Sequence, residues 1–222
     1  RAAGHDVHEC RAAQPRRRGS KTELVSRPWL WPGYWLATRR ARRELERVFA
    51  KRRAEIDPDV VLVPYPGHLA VRWIRGWWGG PIVLDLFLSA WSTVVEDRKL
   101  FRPGSLPAKY MSALDRRACE AADIVLMDTP DHARLVARST GVEDQRFDWV
   151  PVADPARVRV APIPKRASTD PLRVLFFGTG VPLHGLRTII DAVEHVPGVH
   201  LTLIGGDEDG RNEASRRLSG RL

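Results

Sequence analysis

Cysteine is scarce in this 222-residue sequence, where Cys10 and Cys119 stand alone and far apart. Two such residues build neither a disulfide framework nor a zinc site, and a reducing compartment suits them best. Long apolar runs are missing too: no stretch approaches the roughly 18 to 20 residues that a membrane-spanning helix needs. The opening residues also lack the order of a secretory signal. An initiating Met is absent, and Arg1-Ala2-Ala3-Gly4 reads as the last turn of a helix with a Gly stop. The start of the protein is therefore expected to be missing. What is present, 43% apolar residues at a mean hydropathy of -0.30, is ordinary for a globular chain and enough for a sizeable core.

Positive charge is abundant but local. Residues 1–58 hold 15 Lys or Arg against 7 Asp or Glu, while the remaining 164 hold 21 against 20. A chain-wide nucleic-acid stripe would spread its cations more evenly, so the imbalance points to an anionic partner near the N-terminal region, such as a membrane surface. The run Arg16-Arg17-Arg18 is followed by Trp29, Trp31, Tyr34 and Trp35 in an irregular stretch over 11–35. From Leu36 to Ile56, apolar residues at Ala41, Leu45, Val48, Phe49 and Ile56 recur at helical spacing among Arg and Lys. Tryptophan favours the headgroup interface and cations attract anionic lipid, so residues 16–53 are a candidate peripheral membrane contact. An ordinary solvated helix over a buried stripe is the plainer reading.

Short β-branched runs alternate with helical patterns along the rest of the chain. A strand is expected through about Val7 to Cys10, then a fully buried one at Val60–Val63 ending on Pro64. Helices over Val71–Trp78, Pro107–Ala122 and Pro130–Thr140 alternate with strands at Ile82–Leu86, Ile124–Met127 and Phe147–Val152. That order implies a parallel sheet with helices on both faces and ligands at the C-terminal strand ends. Residues 153–171, with Pro155, Pro162, Pro164 and Pro171, read as a linker. The pattern restarts with a strand Leu172–Phe177, the turn Gly178-Thr179-Gly180, a helix His184–His195, a strand Val199–Ile204 with Gly205-Gly206, and a helix from Gly210 to Leu218.

Glycines between a strand and a helix let the backbone approach a ligand, and a helix N-terminus favours phosphate. Alone, Gly178-Thr179-Gly180 is a weak signal, and His184 beside it either touches a phosphate or caps the turn. Asp207-Glu208-Asp209 looks like a metal-binding triplet, but its place between Gly-Gly and a helix makes capping the better reading. Strand ends offer His68, Asp85, Ser89, Asp128 and Thr129 for contacts. Each has a plainer alternative as a loop residue, a turn bond or an N-cap.

Leu175-Phe176-Phe177-Gly178-Thr179, then Pro182-Leu183-His184-Gly185-Leu186, Ile189-Ile190-Asp191-Ala192 and Val199 through Gly205, resemble the start of the donor-binding domain of retaining family 4 glycosyltransferases. Upstream, Asp85-Leu86-Phe87-Leu88-Ser89, Asp97-Arg98-Lys99, Leu114-Asp115-Arg116 and Ala121 through Thr129 resemble the acceptor domain of the same enzymes. Many members carry Arg and Lys where this chain has Thr179 and His184. The resemblance implies an α/β protein of two Rossmann-like domains in the GT-B arrangement, the second truncated. Residues 1–152 would form the acceptor side, without its first strand and glycine-rich loop. Residues 153–171 would link it to the opening of the donor-binding domain at 172–222, with the family's glutamate pair falling beyond Leu222.

The same resemblance implies transfer of a sugar from a nucleoside diphosphate sugar, with retention, to a glycan or lipid-linked acceptor. It assigns Gly178, Thr179, Gly180, His184, Gly185 and Gly205 to the donor, while their strand-end positions put His68 and Asp85 on the catalytic, acceptor side. Basic groups and helix N-termini would stabilise the leaving diphosphate, with no metal, no cofactor beyond the donor substrate and no nucleic acid. The expected location is the cytoplasm, peripheral at the inner membrane face, and this piece alone is expected to be inactive. A non-catalytic basic binding protein is the other reading carried forward.

Overall fold

A computed structural model describes residues 4–12, 29, 31–152 and 170–222 of the chain. Two compact units emerge, Arg1–Ala153 and Asp154–Leu222. The basic run at 16–18 and the proline-rich stretch through 169 lie outside the described residues.

In the first unit the element order is α1 (Trp31–Ile56), β1 (Val61–Val63), α2 (Ala70–Trp77), β2 (Ile82–Asp85), α3 (Leu106–Ala121), β3 (Ile124–Met127), α4 (Pro130–Thr140) and β4 (Phe147–Trp149). The four strands form one parallel sheet in the order β1-β2-β3-β4. β1, β2 and β3 are each followed by a helix that leads to the next parallel strand, the βαβ order that alternating apolar runs predict. The fold is α/β with parallel strands, compatible with a Rossmann-like architecture.

Several boundaries move for physical reasons. No strand forms at Val7–Cys10, where Val7 is exposed and only Cys10 packs partly against the core. A single apolar residue at each alternate position gives that segment little to bury. The basic helix begins at Trp31, more than a turn earlier than the Leu36 expected from its stripe, so Tyr34 and Trp35 are helical. Its stripe does face inward: Phe49 is buried, with Ala41, Leu45, Val48 and Ile56 half-buried. Phe49 meets Trp77 and Trp78 at centroid separations of 6.3 and 6.4 Å. β1 is an edge strand of the described sheet rather than a fully buried one, and Val60 and Leu62 are exposed while Val63 is buried.

Centrally, Ile82 and Leu84 of β2 lose all contact with solvent, as does Val125 of β3. Burial of such side chains is worth roughly 1.5–3 kcal/mol each. One arginine ties the α2–β2 loop to the α3–β3 junction: Arg75 donates to Ala121 O at 2.9 Å, Gly80 O at 3.0 Å and Asp123 Oδ2 at 2.5 Å. α4 begins with Thr129 accepting from the His132 amide, carries Pro130 at its first position, and ends on Gly141 at φ 71°.

The second unit contains β5 (Leu172–Gly178), α5 (Leu186–His195), β6 (Val199–Gly205) and α6 (Glu208–Arg217). β5 and β6 pair in parallel from Leu172↔Val199 to Gly178↔Gly205. A short 3₁₀ turn, Pro182–His184, precedes α5, so the α-helix starts at Leu186 rather than His184. Phe176, Leu186, Ile190, Val193, Leu201 and Leu218 close its core. Arg217 joins α6 to α5 by reaching Asp191 at 2.6 Å and Glu194.

Candidate functional site

The C-terminal ends of β1 and β2 converge on a polar centre that the packing creates. After β1 the chain drops onto the core at Gly67, where a β-carbon would lie 2.8 Å from Val63 Cγ1 and 2.9 Å from Leu84 Cδ1. That descent carries His68 inward until it is 8% exposed. Beyond β2, Phe87 adopts φ 55°, a left-handed conformation uncommon for a residue with a β-carbon. Its ring meets Tyr65 edge to face at 5.6 Å, joining the two strand-end loops.

Asp115 of α3 lies under both loops and is 3% exposed. Its Oδ2 accepts from Ser89 Oγ at 2.7 Å and the Trp91 amide at 2.9 Å, and its Oδ1 accepts from the Ala90 amide at 2.8 Å. A buried carboxylate that accepts three donors is well compensated for its desolvation. His68 Nε2 sits 3.2 Å from the same Oδ1. The approach is within ion-pair reach but lacks the alignment of a hydrogen bond, and Nε2 is the one sealed side-chain nitrogen or oxygen among the described residues without a hydrogen-bond partner.

Asp85 closes β2 and is half-buried, and desolvation pushes its carboxyl above the ordinary range. Next along the sheet, Asp128 Oδ1 meets His132 Nδ1 at 2.8 Å beyond the end of β3. Ser89 is not free to meet a ligand, because its hydroxyl is taken by Asp115 and by the Ser92 amide at 3.0 Å. Cys119 is no nucleophile: burial, aided by the Asp115 charge, pushes its thiol up to about 12. The hollow of about 160 Å³ between α4 and β4, near Arg134 and Trp149, is smaller than the roughly 300 Å³ at which small-molecule pockets begin.

In the second unit the glycines predicted as donor contacts make a tight strand-end crossing. A β-carbon on Gly180 would sit 2.4 Å from the Asp207 amide nitrogen, and the Gly206 amide donates to Gly178 O at 2.6 Å. Exposed His184 lies across Gly178, where a β-carbon would come within 2.9 Å of its Nδ1, and packs edge-on against Phe176 at 6.3 Å. Thr179 stands between the two glycines of the turn. Gly185, at φ 62°, precedes α5, whose N-terminus receives no side-chain cap. Asp207 accepts from the Gly210 amide at 3.0 Å and caps α6, with Glu208 and Asp209 in the first turn, so the acidic triplet is occupied with the helix start.

His68 and Asp85 thus share one end of the first sheet, and the six predicted donor positions share one end of the second. Asp115, Tyr65 and Phe87 were not anticipated as site residues. For Asp115 a signal existed: it falls on the same helical face as Ala108, Ala118 and Cys119, all buried, so a carboxylate interrupts an apolar stripe. The rings of Tyr65 and Phe87 carried no such mark.

Comparison with models of known protein families finds no match, and neither does comparison with curated proteins.

Proposed function

We propose that the chain is part of a retaining glycosyltransferase that moves a sugar from a nucleoside diphosphate sugar to a glycan or lipid-linked acceptor. The observation that carries the reading is the second unit's strand end, where glycine-only backbone contact at Gly178 and Gly205 lies beside His184 and an uncapped helix N-terminus. Backbone amides without side chains in the way, a helix dipole and an imidazole together suit a diphosphate. The order of motifs from Asp85 to Gly205, on parallel α/β units, supports the same reading.

In this account Gly178, Thr179, Gly180, Gly185 and Gly205 shape the cradle and His184 supplies its cation. A protonated imidazole would stabilise the leaving diphosphate where many members of the resembling family use Lys. His68 and Asp85 act on the acceptor side, His68 toward a hydroxyl group and Asp85 through a carboxyl held partly out of water. A GT-B arrangement of two domains belongs to this proposal.

The test is diphosphate release by the complete gene product against a panel of nucleoside diphosphate sugars. Release that requires an acceptor and falls in His184→Ala supports the reading; absence of donor turnover with every donor and acceptor refutes it.

A second reading rests on α1. Trp35 is 57% exposed with the Arg39 guanidinium stacked 3.9 Å from its ring, on a helix with eight Lys or Arg and three acidic residues. That surface favours contact with an anionic membrane, either to bring a lipid-linked acceptor within reach at the inner membrane face or as the whole function of a basic peripheral protein. Among the described residues no helix is long and apolar enough to cross a membrane. Co-sedimentation with anionic vesicles that is lost in Trp35→Ala, with no sugar transfer, would favour the peripheral protein alone.

A further inference from the structure

We infer that Asp115 is the positioning residue of the acceptor-side centre: it holds the proton of His68 on Nε2 and leaves Nδ1 as the hydrogen-bond acceptor. This inference rests on the acceptor-side reading of His68 given above, and it adds a role for a buried residue on a different element.

Three donors surround the carboxylate. Ser89 Oγ and the Trp91 amide occupy Oδ2, and the Ala90 amide occupies one side of Oδ1. All are donors, and the two amides cannot become anything else. Asp115 therefore serves as an acceptor with both oxygens. An imidazole nitrogen 3.2 Å from Oδ1 has two choices. A lone pair there would set its negative charge 3.2 Å from a carboxylate oxygen in a site sealed from water, where repulsion is poorly screened. A proton there would set positive charge beside that oxygen, an attraction that holds at 3.2 Å without the alignment of a hydrogen bond. Nε2 has no other partner, so the carboxylate is the one group available to choose between them.

The arrangement also ties the two strand-end loops to one group. Gly67 brings His68 down from β1, and Ser89, Ala90 and Trp91 descend from β2 onto the same carboxylate. A single residue of α3 thus sets the height of the β2 loop and the protonation pattern of the β1 loop. Asparagine, with the same shape, cannot replace it. One end of its amide is an NH₂ group, which would oppose the Trp91 amide at one position or the Ala90 amide and the His68 Nε2 proton at the other.

The test is a ¹⁵N spectrum of the histidine rings of the full chain at alkaline pH, where a histidine is neutral. His68→Gln identifies the resonance. The expected wild-type signal is a neutral His68 ring protonated on Nε2, with that proton exchanging slowly because the nitrogen is sealed. In Asp115→Asn the proton is expected to move to Nδ1 or to lose its protection. Ser89→Ala, which keeps the carboxylate, is expected to leave the signal in place. In the transfer assay, Asp115→Asn should lower kcat by roughly tenfold or more while changing KM little. A wild-type ring protonated on Nδ1 would overturn the inference even if Asp115→Asn fails to fold, as would an unchanged spectrum in a folded Asp115→Asn protein. The spectrum is read without donor or acceptor, so it stands or falls separately from sugar transfer.

Discussion

A β-carbon on Gly205 would lie 2.2 Å from the carbonyl oxygen of Gly178, so the ends of β5 and β6 meet at a distance that only glycine permits. Gly205 also holds φ 90°. Gly205→Ala is therefore expected to destabilise the second unit by about 1–3 kcal/mol through forced backbone displacement. All eight tryptophans lie in the first unit. Hydrogen exchange or circular dichroism should register the loss, while tryptophan fluorescence melting changes little.

Asp85→Asn separates stability from function. Burial raises the Asp85 carboxyl above its ordinary value. The folded state thus holds that proton more tightly than the unfolded chain, and the stability this confers is present at acid pH and lost as pH rises through the folded-state value. At neutral pH the variant, carrying no charge, is expected to melt at the same temperature as the wild type or higher. At pH below the carboxylate range the two should converge. Fluorescence melts at both pH values check the sign, and a variant that is markedly less stable at neutral pH contradicts it.

Arg75→Lys keeps the charge but loses the fork. Three acceptors at Ala121, Gly80 and Asp123 cannot all be reached by one ammonium in that planar geometry. A loss of about 1–2 kcal/mol in the first unit is expected by urea denaturation. Desolvation works against ionising Asp123, yet the Ile82 amide and the Arg75 guanidinium outweigh it and hold its carboxyl below the usual range. That contribution is present above the unfolded carboxylate value and lost as pH falls. The acid limb of the wild-type stability curve should accordingly be flatter in Arg75→Ala.

Asp207 distinguishes a cap from a metal ligand. Asp207→Asn preserves an oxygen for the Gly210 amide and should cost only a few tenths of a kcal/mol, whereas Asp207→Ala should cost about 1 kcal/mol. Divalent cations should shift neither unfolding curve. A cation-dependent stabilisation lost in Asp207→Asn would contradict the capping role.

Much of the scaffold was legible because its signals are local. Ile124–Met127 and Pro130–Thr140 stand where their apolar runs, Pro130 and Gly141 predicted them. Boundaries slipped where a neighbour decided: α1 gained a turn and more at its aromatic start, and Pro182–His184 folded as a 3₁₀ turn instead of joining α5. Val7–Cys10 failed as a strand because one β-branched residue does not make a buried face. The candidate site was legible as positions but not as contacts. His68 and Asp85 could be placed at strand ends from the pattern alone. The pairing of His68 with Asp115 joins residues 47 apart in sequence, a relationship set by how α3 packs rather than by any local motif.

The most direct test of the central claim is acceptor-dependent nucleoside diphosphate release from sugar donors by the complete gene product, compared with His184→Ala and Asp85→Asn. The account predicts release with at least one donor, formation of a glycoside with retained configuration, and a loss of roughly tenfold or more in each variant. A folded protein that neither turns over any nucleoside diphosphate sugar nor binds a nucleoside diphosphate would contradict it.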